Sequence, residues 1–447
     1  MNKKTKLFQL SPPRILVFGF ASIILAGTVL LSLPISSSSG KPLPLVDALF
    51  TATSATCVTG LIVVDTGSYF SLFGQLVILS LIQIGGLGFM TMATLFALVL
   101  RKRISLRERL ILQEAMNQIS LEGIVRLIRK VMLYAFGTEA AGALIYALRF
   151  SRDMNGEQAV YFGIFHAVSL FNNAGFDLFG NSLMNYVEDP VINAASIFLI
   201  VTGGLGFVVI SDLVDCAKSK YKRRLSLHTK VVLTATAILI SVGTLVVFVF
   251  EYTNAKTLGS LDLAGKIWAS LFQAVTPRTA GANTLSIADL RQATQFFMII
   301  LMFIGASPGS TGGGIKTTTF MTLVGAIISM ARGKEDIVMF RHRLARDRIY
   351  KAVTITLLSL FLIVAVSMVL SATEDHQFLM ILFETTSAFG TVGLSMGLTA
   401  KLTLFGKIMI SFMMFTGRLG PLTLTYALGK KKDKELYRHP EGKIIIG

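Results

Sequence analysis

Four short segments of the chain share a spacing that suits the binding of a dehydrated cation. Each begins at a Phe within an apolar run and ends at a Gly, at 50–60, 165–175, 272–281 and 383–393. A cation leaves water only where other oxygens replace its hydration shell, and rings of backbone carbonyls can do this without a full charge. Glycine permits the backbone angles that such a ring demands. We therefore predict that the four segments converge on one axis as a selectivity filter.

The predicted ion-binding residues are the last three of each segment. They are Val58, Thr59 and Gly60; Asn173, Ala174 and Gly175; Thr279, Ala280 and Gly281; and Thr391, Val392 and Gly393. No carboxylate occupies these positions, which argues against an acidic ring for divalent ions and favours a weakly hydrated monovalent cation. A plain turn would explain any one of these glycines, whereas recurrence in four copies favours a filter.

Arg278 stands directly before the third of these sets, as a cation beside a predicted cation pathway. An unpaired charge in an apolar interior is expensive. We therefore expect its side chain to point behind the filter and to pair there with an acidic neighbour, Glu384.

A second candidate site is the glycine-rich stretch at 304–317. Pro308 and five glycines within its first eleven positions are incompatible with a regular helix. The stretch is therefore expected to be a loop at membrane depth that lines a cavity. We predict that it gates the pathway on the cytoplasmic side of the filter, through Gly309, Ser310, Thr311, Gly312, Gly313, Gly314 and Lys316. The alternative is a kink that serves only helix packing.

Arg418 is the predicted second part of this gate. An arginine within an apolar span is a functional candidate because its burial is costly. Facing the pathway, it would repel cations and hydrogen-bond the glycine-rich loop. The alternative is a buried structural pair with Asp212 or Glu139.

The same loop also resembles a phosphate-binding loop, which would make the chain a nucleotide hydrolase. That motif needs Gly-x-x-x-x-Gly-Lys-Ser/Thr after a strand. Gly309 and Gly314 have the right separation, but Ile315 intervenes before Lys316 and apolar spans flank the loop. We therefore expect no enzymatic activity.

Membrane helices are expected to hold the predicted filter and gate residues in place. The 447 residues are 53% hydrophobic and 15% charged, which indicates an integral membrane protein. A net charge of +17 would suit nucleic acid, but the basic clusters lie between long apolar segments, so we expect no nucleic-acid partner. A bilayer crossing needs about 20 apolar residues. Eight segments qualify, at 14–33, 70–99, 127–148, 191–215, 229–251, 294–328, 352–371 and 403–428.

One Phe…Gly segment lies between the members of each successive pair of spans. The predicted fold is an all-α integral membrane protein, with eight transmembrane helices and four re-entrant pore helices around a central ion pore. Its unit is outer helix, pore loop and inner helix, repeated at 1–105, 106–222, 223–338 and 339–447. The inner segments carry Gly-Gly-Leu-Gly at 85–88 and 203–206 and Gly-Arg-Leu-Gly at 417–420. Packing of small residues between helices would also explain these glycines, but their recurrence at a fixed place in each unit favours the repeat.

The distribution of Lys and Arg predicts the orientation in the membrane. Most of the 42 fall in clusters on the side of both termini, at 101–109, 218–230, 332–351 and 430–443. By the positive-inside rule, both termini are cytoplasmic and the pore loops enter from outside a multi-pass protein of the cell membrane.

At the four filter glycines, the Gly-Ser-Thr-Gly-Gly-Gly-Ile-Lys run at 309–316 and Arg418, the sequence resembles the Trk/Ktr/HKT superfamily of potassium transporters. The likeness is to the membrane subunit of its bacterial Ktr branch and covers essentially the whole chain. In that superfamily, Gly at all four filter positions goes with K⁺ selectivity, whereas Ser in the first copy is associated with Na⁺ permeation. The resemblance therefore implies K⁺ as the transported ion.

The resemblance also implies partners. It implies a homodimer with one pore per subunit, Na⁺ as an activator, and gating by a separate cytoplasmic nucleotide-binding ring of the RCK type. It implies that this chain binds no organic cofactor and that membrane lipid surrounds it. The basic tail at 430–447 is expected to reach a neighbouring subunit or to be a solvated end.

The main alternative function is an alternating-access Na⁺/K⁺ symporter, whose repeats rock about a midplane site. Carrier repeats are commonly inverted, whereas every copy here has the same order and orientation. A purely structural membrane scaffold would leave the four glycines and the broken inner segment unexplained.

Overall fold

The computed structural model describes residues 11–88, 91, 92, 94, 106–115, 124–218, 224–334 and 336–428. Helices dominate this part of the chain, and its two strands, β1 (Val338–Met339) and β2 (His342–Arg343), form one short antiparallel pair. The prediction of an all-α membrane protein is confirmed. The basic clusters at 101–109 and 218–230 lie partly outside the described residues, as do the repeat limits after 105 and 222. The tail at 430–447 lies wholly outside them.

The helices follow one another in an order that recurs four times. They are α1 (Pro12–Ser32), α2 (Leu45–Thr56), α3 (Thr66–Tyr69), α4 (Leu72–Leu87), α5 (Leu106–Ala115), α6 (Ile124–Phe150), α7 (Gly156–Phe171), α8 (Pro190–Leu205), α9 (Phe207–Lys218), α10 (Leu227–Glu251), α11 (Leu263–Val275), α12 (Gln292–Phe303), α13 (Thr317–Ala331), α14 (Arg346–Thr373), α15 (Phe378–Gly390), α16 (Leu404–Leu419) and α17 (Pro421–Leu428). Short 3₁₀ turns lie at Pro34–Ser36, Met184–Tyr186, Ile287–Asp289 and Thr399–Lys401.

Four long outer helices, α1, α6, α10 and α14, are long and apolar enough to cross a membrane. They keep large apolar side chains on their surfaces, such as Leu25, Leu245 and Leu357, each more than 60% exposed. Exposed apolar faces of this kind suit contact with lipid. These helices match four of the eight predicted spans.

Four short helices, α2, α7, α11 and α15, follow the outer helices. They have 12, 16, 13 and 13 residues, so none reaches across a bilayer. The Phe that begins each predicted filter segment lies within one of them, and all four of these Phe side chains are fully buried. The short helices thus bury these residues inside the protein, as the prediction of re-entrant pore helices requires.

The inner helices are not continuous, which corrects one prediction. Helix α8 meets α9 at a bend of 100°, and α16 meets α17 at a bend of 92°. The bends follow Gly206 (φ 93°) and Gly420 (φ 83°), the last glycine of each Gly-x-Leu-Gly motif. Glycine ends helices readily in this left-handed region. The predicted spans at 191–215 and 403–428 are therefore each two helices.

The inner segment of copy three is broken as predicted. Helix α12 ends at Phe303, α13 begins at Thr317, and residues 304–316 between them form a loop. We call this segment loop 304–316. At least three inner segments are thus interrupted, and only the interruption in copy three was predicted from the sequence.

Copies four and one lie against each other and close the arrangement. Lys407 Nζ of α16 lies 2.6 Å from Asp47 Oδ1 of α2, with both side chains less than 20% exposed. Arg14 Nε of α1 donates to the carbonyl of Ala427 in α17 at 2.8 Å. These contacts join residues more than 350 positions apart and make the four copies a closed ring.

Candidate ion pathway

The four glycines that end the predicted filter segments meet in space. We call Gly60, Gly175, Gly281 and Gly393 the ring glycines. A β-carbon placed on Gly175 would lie 2.8 Å from the carbonyl oxygen of Ala280 and 2.9 Å from Gly281 Cα. Equivalent β-carbons would meet Ala174 from Gly60, Val392 from Gly281 and Thr59 from Gly393. Each ring glycine thus faces the next segment, and the ring closes in chain order.

The backbone conformation of the segments also repeats. Each ring glycine has a positive φ, between 68° and 92°. The residue two positions earlier is left-handed as well, and these residues are Val58 (φ 58°), Asn173 (φ 59°), Thr279 (φ 76°) and Thr391 (φ 50°). A non-glycine residue held in this region costs on the order of 1–3 kcal/mol and persists only where its surroundings impose it. This alternation was not among the predictions made from the sequence.

The amide N–H groups of these segments bond back to the short helices. Thr59, Ala174 and Val392 donate to the carbonyls of Ser54, Ser169 and Ser387 at 2.7–2.8 Å. In copies one and four the ring glycine also donates to the serine hydroxyl, at 3.1 Å. In copy three, which has Val275 at the serine position, Ala280 donates to the carbonyl of Thr276 at 2.9 Å.

The carbonyl oxygens of the segments are left for another partner. Among the described residues, no N–H or O–H donates to the carbonyls of Thr59, Ala174, Ala280 and Val392, although all four residues are fully buried. Buried carbonyls are normally paired with backbone, side chain or water. The carbonyl-rich C-terminal ends of α2, α7, α11 and α15 point into the same segments and add partial negative charge. The arrangement can replace the hydration shell of a cation.

The structure therefore brings together all twelve residues of the predicted filter. Arg278 lies behind it, as expected, because its Nη2 donates to Thr236 Oγ1 of outer helix α10 at 3.2 Å. Its predicted partner is wrong. Glu384 accepts instead from Ser395 Oγ, at 2.8 Å, and from Thr399 Oγ1, because it faces the loop that follows its own filter segment.

A cavity of about 410 Å³ opens on the side of the ring where the chain leaves the filter segments. The four ring glycines line it, with Asp177 as an acidic group at its edge. Asp177 Oδ2 accepts three backbone N–H groups, from Phe179, Gly180 and Ser182. Burial raises the pKa of the Asp177 carboxyl, and these hydrogen bonds oppose the rise. A cation that loses its hydration shell in this cavity would therefore contact polar groups.

Loop 304–316 lies on the opposite side of the ring and touches it. Gly313 N donates to Thr391 Oγ1 at 2.9 Å, and Gly312 packs against Thr279 Oγ1. The loop is also tied to α8, because Ser307 N and Thr311 N donate to the carbonyls of Gly204 and Gly203 at 3.1 and 3.3 Å. The loop thus lies directly beneath two filter segments.

Arg418 joins this loop to the first copy. Its guanidinium donates to the carbonyls of Thr311 in the loop and of Gly85 and Gly86 in α4. The alternative pairings are not seen, since Glu139 bonds to Gln83 and Asn172, and within the described residues no carboxylate lies within 4.0 Å of Arg418.

Arg418 and Lys316 share a second cavity, of about 230 Å³. Glycines of the loop and of the inner segments of copies one and four line it, namely Gly309, Gly312, Gly314, Gly86, Gly88, Gly417 and Gly420. Lys316 Nζ donates to the carbonyl of Gly312 at 2.7 Å, so it folds onto its own loop. The predicted gate residues are therefore one cluster, beside a space large enough for water and an ion.

The phosphate-loop alternative lacks its structural context. Helix α12, and not a strand, precedes the loop. Lys316 occupies the N-cap position of α13, and its side chain makes no capping hydrogen bond there. The N–H of Gly313 is already bonded to Thr391.

The inner-helix glycines have a specific role in building this site. β-Carbons on Gly85, Gly203 and Gly417 would overlap the carbonyls of Thr56, Phe171 and Phe389, the fourth residue before each ring glycine. Glycine at these positions lets the short helix end against the inner helix. The repeat was found from the sequence, but this reason for it was not.

A family model described as TrkH, a cation transport protein, matches residues 17–437 of the chain. The chain belongs to this family. As a member of the TrkH family it is a multi-pass membrane transport protein and not an enzyme. Its fold resembles the crystal structure of the potassium transporter TrkH from Vibrio parahaemolyticus, with a TM-score of 0.74 over 96% of this chain and 87% of that chain. The identity there is 19%, so this likeness shows the fold alone.

Other members of the family are more similar in sequence. The Ktr system potassium uptake protein B of Bacillus subtilis (strain 168) is 46% identical over 100% of this chain and 99% of its own length. The protein of the same description from Vibrio alginolyticus is 40% identical over 97% and 95%. The potassium/sodium uptake protein NtpJ of Enterococcus hirae is 38% identical over 100% and 99%.

Proposed function

We propose that this chain is the ion-translocating subunit of a potassium uptake system in the cell membrane. K⁺ passes in single file through a ring of backbone carbonyls at the twelve filter residues. Full-length relatives are described as potassium uptake proteins of Ktr systems, which supports K⁺ as the cargo. The observation that carries the proposal is the closed ring of glycines, with four buried carbonyls that accept no hydrogen bond within the described residues.

The chemistry of selection follows from these carbonyls. Their oxygens stand in for water around an alkali ion, and the C-terminal ends of four short helices favour positive charge at the ring. With no carboxylate among the filter residues, the ring binds a monovalent ion loosely enough to release it. The cavity of about 410 Å³ is the outer entrance, and the cavity of about 230 Å³ is the cytoplasmic exit.

Loop 304–316 and Arg418 gate this exit. Arg418 holds the loop against α4 and places a positive charge beside the pathway, so the state seen here resists cation flow. Opening requires the loop to leave the inner mouth. The system names of the relatives support a separate regulatory subunit, which we propose is a cytoplasmic nucleotide-binding ring of the RCK type acting on a homodimer of this chain. Na⁺ acts as an activator.

The test is reconstitution into liposomes, with K⁺ and Na⁺ influx measured side by side. We expect K⁺ to be preferred in the wild type. Gly175→Ala should lower the K⁺/Na⁺ ratio about tenfold or more, which corresponds to about 1.4 kcal/mol. The new methyl group would lie 2.8 Å from the carbonyl of Ala280 and displace it.

Gly40→Ala is the matched control. Gly40 has φ 70°, close to the 68° of Gly175, but nothing lies within 4 Å of its missing β-carbon. Both variants therefore suffer the same backbone strain, and only one disturbs the ring. An unchanged ratio in Gly175→Ala, or an equal fall in both variants, would contradict the filter.

An alternating-access Na⁺/K⁺ symporter is the competing function, favoured by the potassium/sodium description of the NtpJ relative. Single-channel currents distinguish the two mechanisms, since a carrier passes too few ions per event to give them. Stoichiometric Na⁺ and K⁺ influx that saturates together would support the symporter.

A further inference from the structure

The residue three positions before each ring glycine is of a different type in each copy. These residues are Cys57, Asn172, Arg278 and Gly390. In the two middle copies this side chain bonds to the outer helix of its own copy, Asn172 to Glu139 of α6 and Arg278 to Thr236 of α10. The back of the filter is therefore attached to the outer helix by different side chains in these two copies.

The attachment in copy two is a buried carboxylate held by two amides. Glu139 Oε1 lies 3.0 Å from both Asn172 Nδ2 and Gln83 Nε2, and Oε2 lies 3.1 Å from the same Gln83 nitrogen. Asn172 Nδ2 also lies 2.8 Å from Gln83 Oε1. The three side chains come from α4, α6 and the end of α7, so they join the first copy to the second.

Glu139 is an ionisable residue in a place that packing alone would fill with a neutral side chain. It is 5% exposed, and in the described part of the chain no Lys, Arg or His lies within 4.0 Å of it. A carboxylate at membrane depth is expensive, and such residues mark functional sites more often than structural ones. A neutral side chain of the same size would fill this space at less cost.

The inner helix leaves room for this cluster. Gly86 packs against the Asn172 side chain, and a β-carbon there would overlap Asn172 Oδ1. Asn172 itself follows the last residue of α7 and precedes the left-handed Asn173. The orientation of its side chain therefore fixes where the second filter segment begins.

We propose that Glu139 is a positioning residue for the second filter segment and acts through Asn172. Its hydrogen bond holds Asn172, and so directs the carbonyls of Asn173 and Ala174 to the axis. K⁺ over Na⁺ selectivity depends on this contact. The inference rests on the proposed carbonyl filter, and goes beyond it by assigning a role to a residue in an outer helix.

The test exchanges donor and acceptor between the two residues with almost no change in volume. Asn172→Asp sets two carboxyl groups against each other and should lower the K⁺/Na⁺ influx ratio about tenfold in proteoliposomes, as loss of a buried hydrogen bond implies. The double variant Asn172→Asp with Glu139→Gln restores one donor opposite one acceptor. It should recover most of the wild-type ratio. Failure of the double variant to exceed Asn172→Asp would overturn the proposal.

Glu374→Gln is the control. Glu374 is also 5% exposed, but it bonds to Thr403 at the start of α16 and not to a filter segment. We expect Glu374→Gln to lower thermal stability and to leave the K⁺/Na⁺ influx ratio unchanged. If the ratio falls as much as in Asn172→Asp, the effect of Asn172→Asp comes from general destabilisation of the protein. Ratios are compared on protein that elutes as a single species, which separates selectivity from folding.

The Gly175→Ala result distinguishes failure of this inference from failure of the filter. A changed ratio in Gly175→Ala with an unchanged ratio in Asn172→Asp removes the role of Glu139 and keeps the filter. No change in either variant removes both.

Discussion

At the scale of single residues, the serine six positions before the ring glycine supports the proposed filter. Ser54, Ser169 and Ser387 occupy this place in copies one, two and four. Their carbonyls accept the N–H of the penultimate filter residue, and two of their hydroxyls accept the N–H of the ring glycine. Because the N–H groups are engaged behind the ring, the carbonyls face its axis. The serine hydroxyl thus supports the ring glycine in copies one and four, and this role was not predicted from the sequence.

Removing one of these hydroxyls should loosen one quarter of the ring. Ser387→Ala deprives the partly buried N–H of Gly393 of its acceptor at 3.1 Å, at a cost of about 0.5–1.5 kcal/mol in stability. We expect a lower melting temperature and a several-fold lower K⁺/Na⁺ influx ratio. Ser22→Ala is the control, since Ser22 is exposed on α1 and bonds only within its own helix. Equal behaviour of the two variants would argue against the anchoring role.

At the scale of elements, broken inner helices create the space beneath the ring. Gly206 and Gly420 end helices in the left-handed region, and loop 304–316 replaces helix altogether in copy three. A straight helix satisfies its own backbone groups, whereas these breaks free carbonyls for other partners. Arg418 takes up three such carbonyls, from two copies. In the gate we propose, one side chain therefore links loop 304–316 to α4.

Loss of that side chain should favour the open state. Arg418→Ala removes the link between Thr311 and α4 and the positive charge beside the exit, so we expect several-fold higher basal K⁺ influx without a regulatory partner. Arg149→Ala serves as the comparison, because Arg149 pairs with Asp153 and Asp189 outside the pathway. Influx equal to or below wild type in Arg418→Ala, at matched expression, would count against the gate.

At the scale of the whole molecule, the four copies enclose one axis. Lys407 and Asp47 join copy four to copy one, and the ring glycines contact each other in chain order. Charge then orients the molecule, since a cytoplasmic excess of Lys and Arg fixes membrane topology. We propose that both termini are cytoplasmic and that the cavity of about 410 Å³ faces outside.

Cysteine labelling in intact cells tests this orientation. In a Cys216→Ser background, with Cys57 buried and so protected, Ser38→Cys should react with a membrane-impermeant maleimide from outside. Arg332→Cys should react only after permeabilisation, because the proposed topology places the end of α13 in the cytoplasm. The opposite pattern would reverse the topology and the assignment of the two cavities.

Composition and spacing along the chain were enough to predict the helices and to indicate where the candidate site lies. Four Phe…Gly segments between apolar spans predicted four short interior helices, twelve filter residues that lie together and one broken inner segment. These features are readable because each has a local cause. Span length follows from apolar composition, and only glycine readily adopts positive φ or permits close approach of backbone.

Which polar groups contact one another could be learned only from the packing of the helices. Glu139 lies 56 positions from Gln83, and Arg278 bonds Thr236 and not Glu384. The left-handed conformation of Val58 and Thr391 could not be predicted from the sequence either. Neither valine nor threonine favours that conformation, and the surrounding packing imposes it. Partner choice in a membrane interior depends on which buried polar groups are brought within reach, and this follows from how the helices pack.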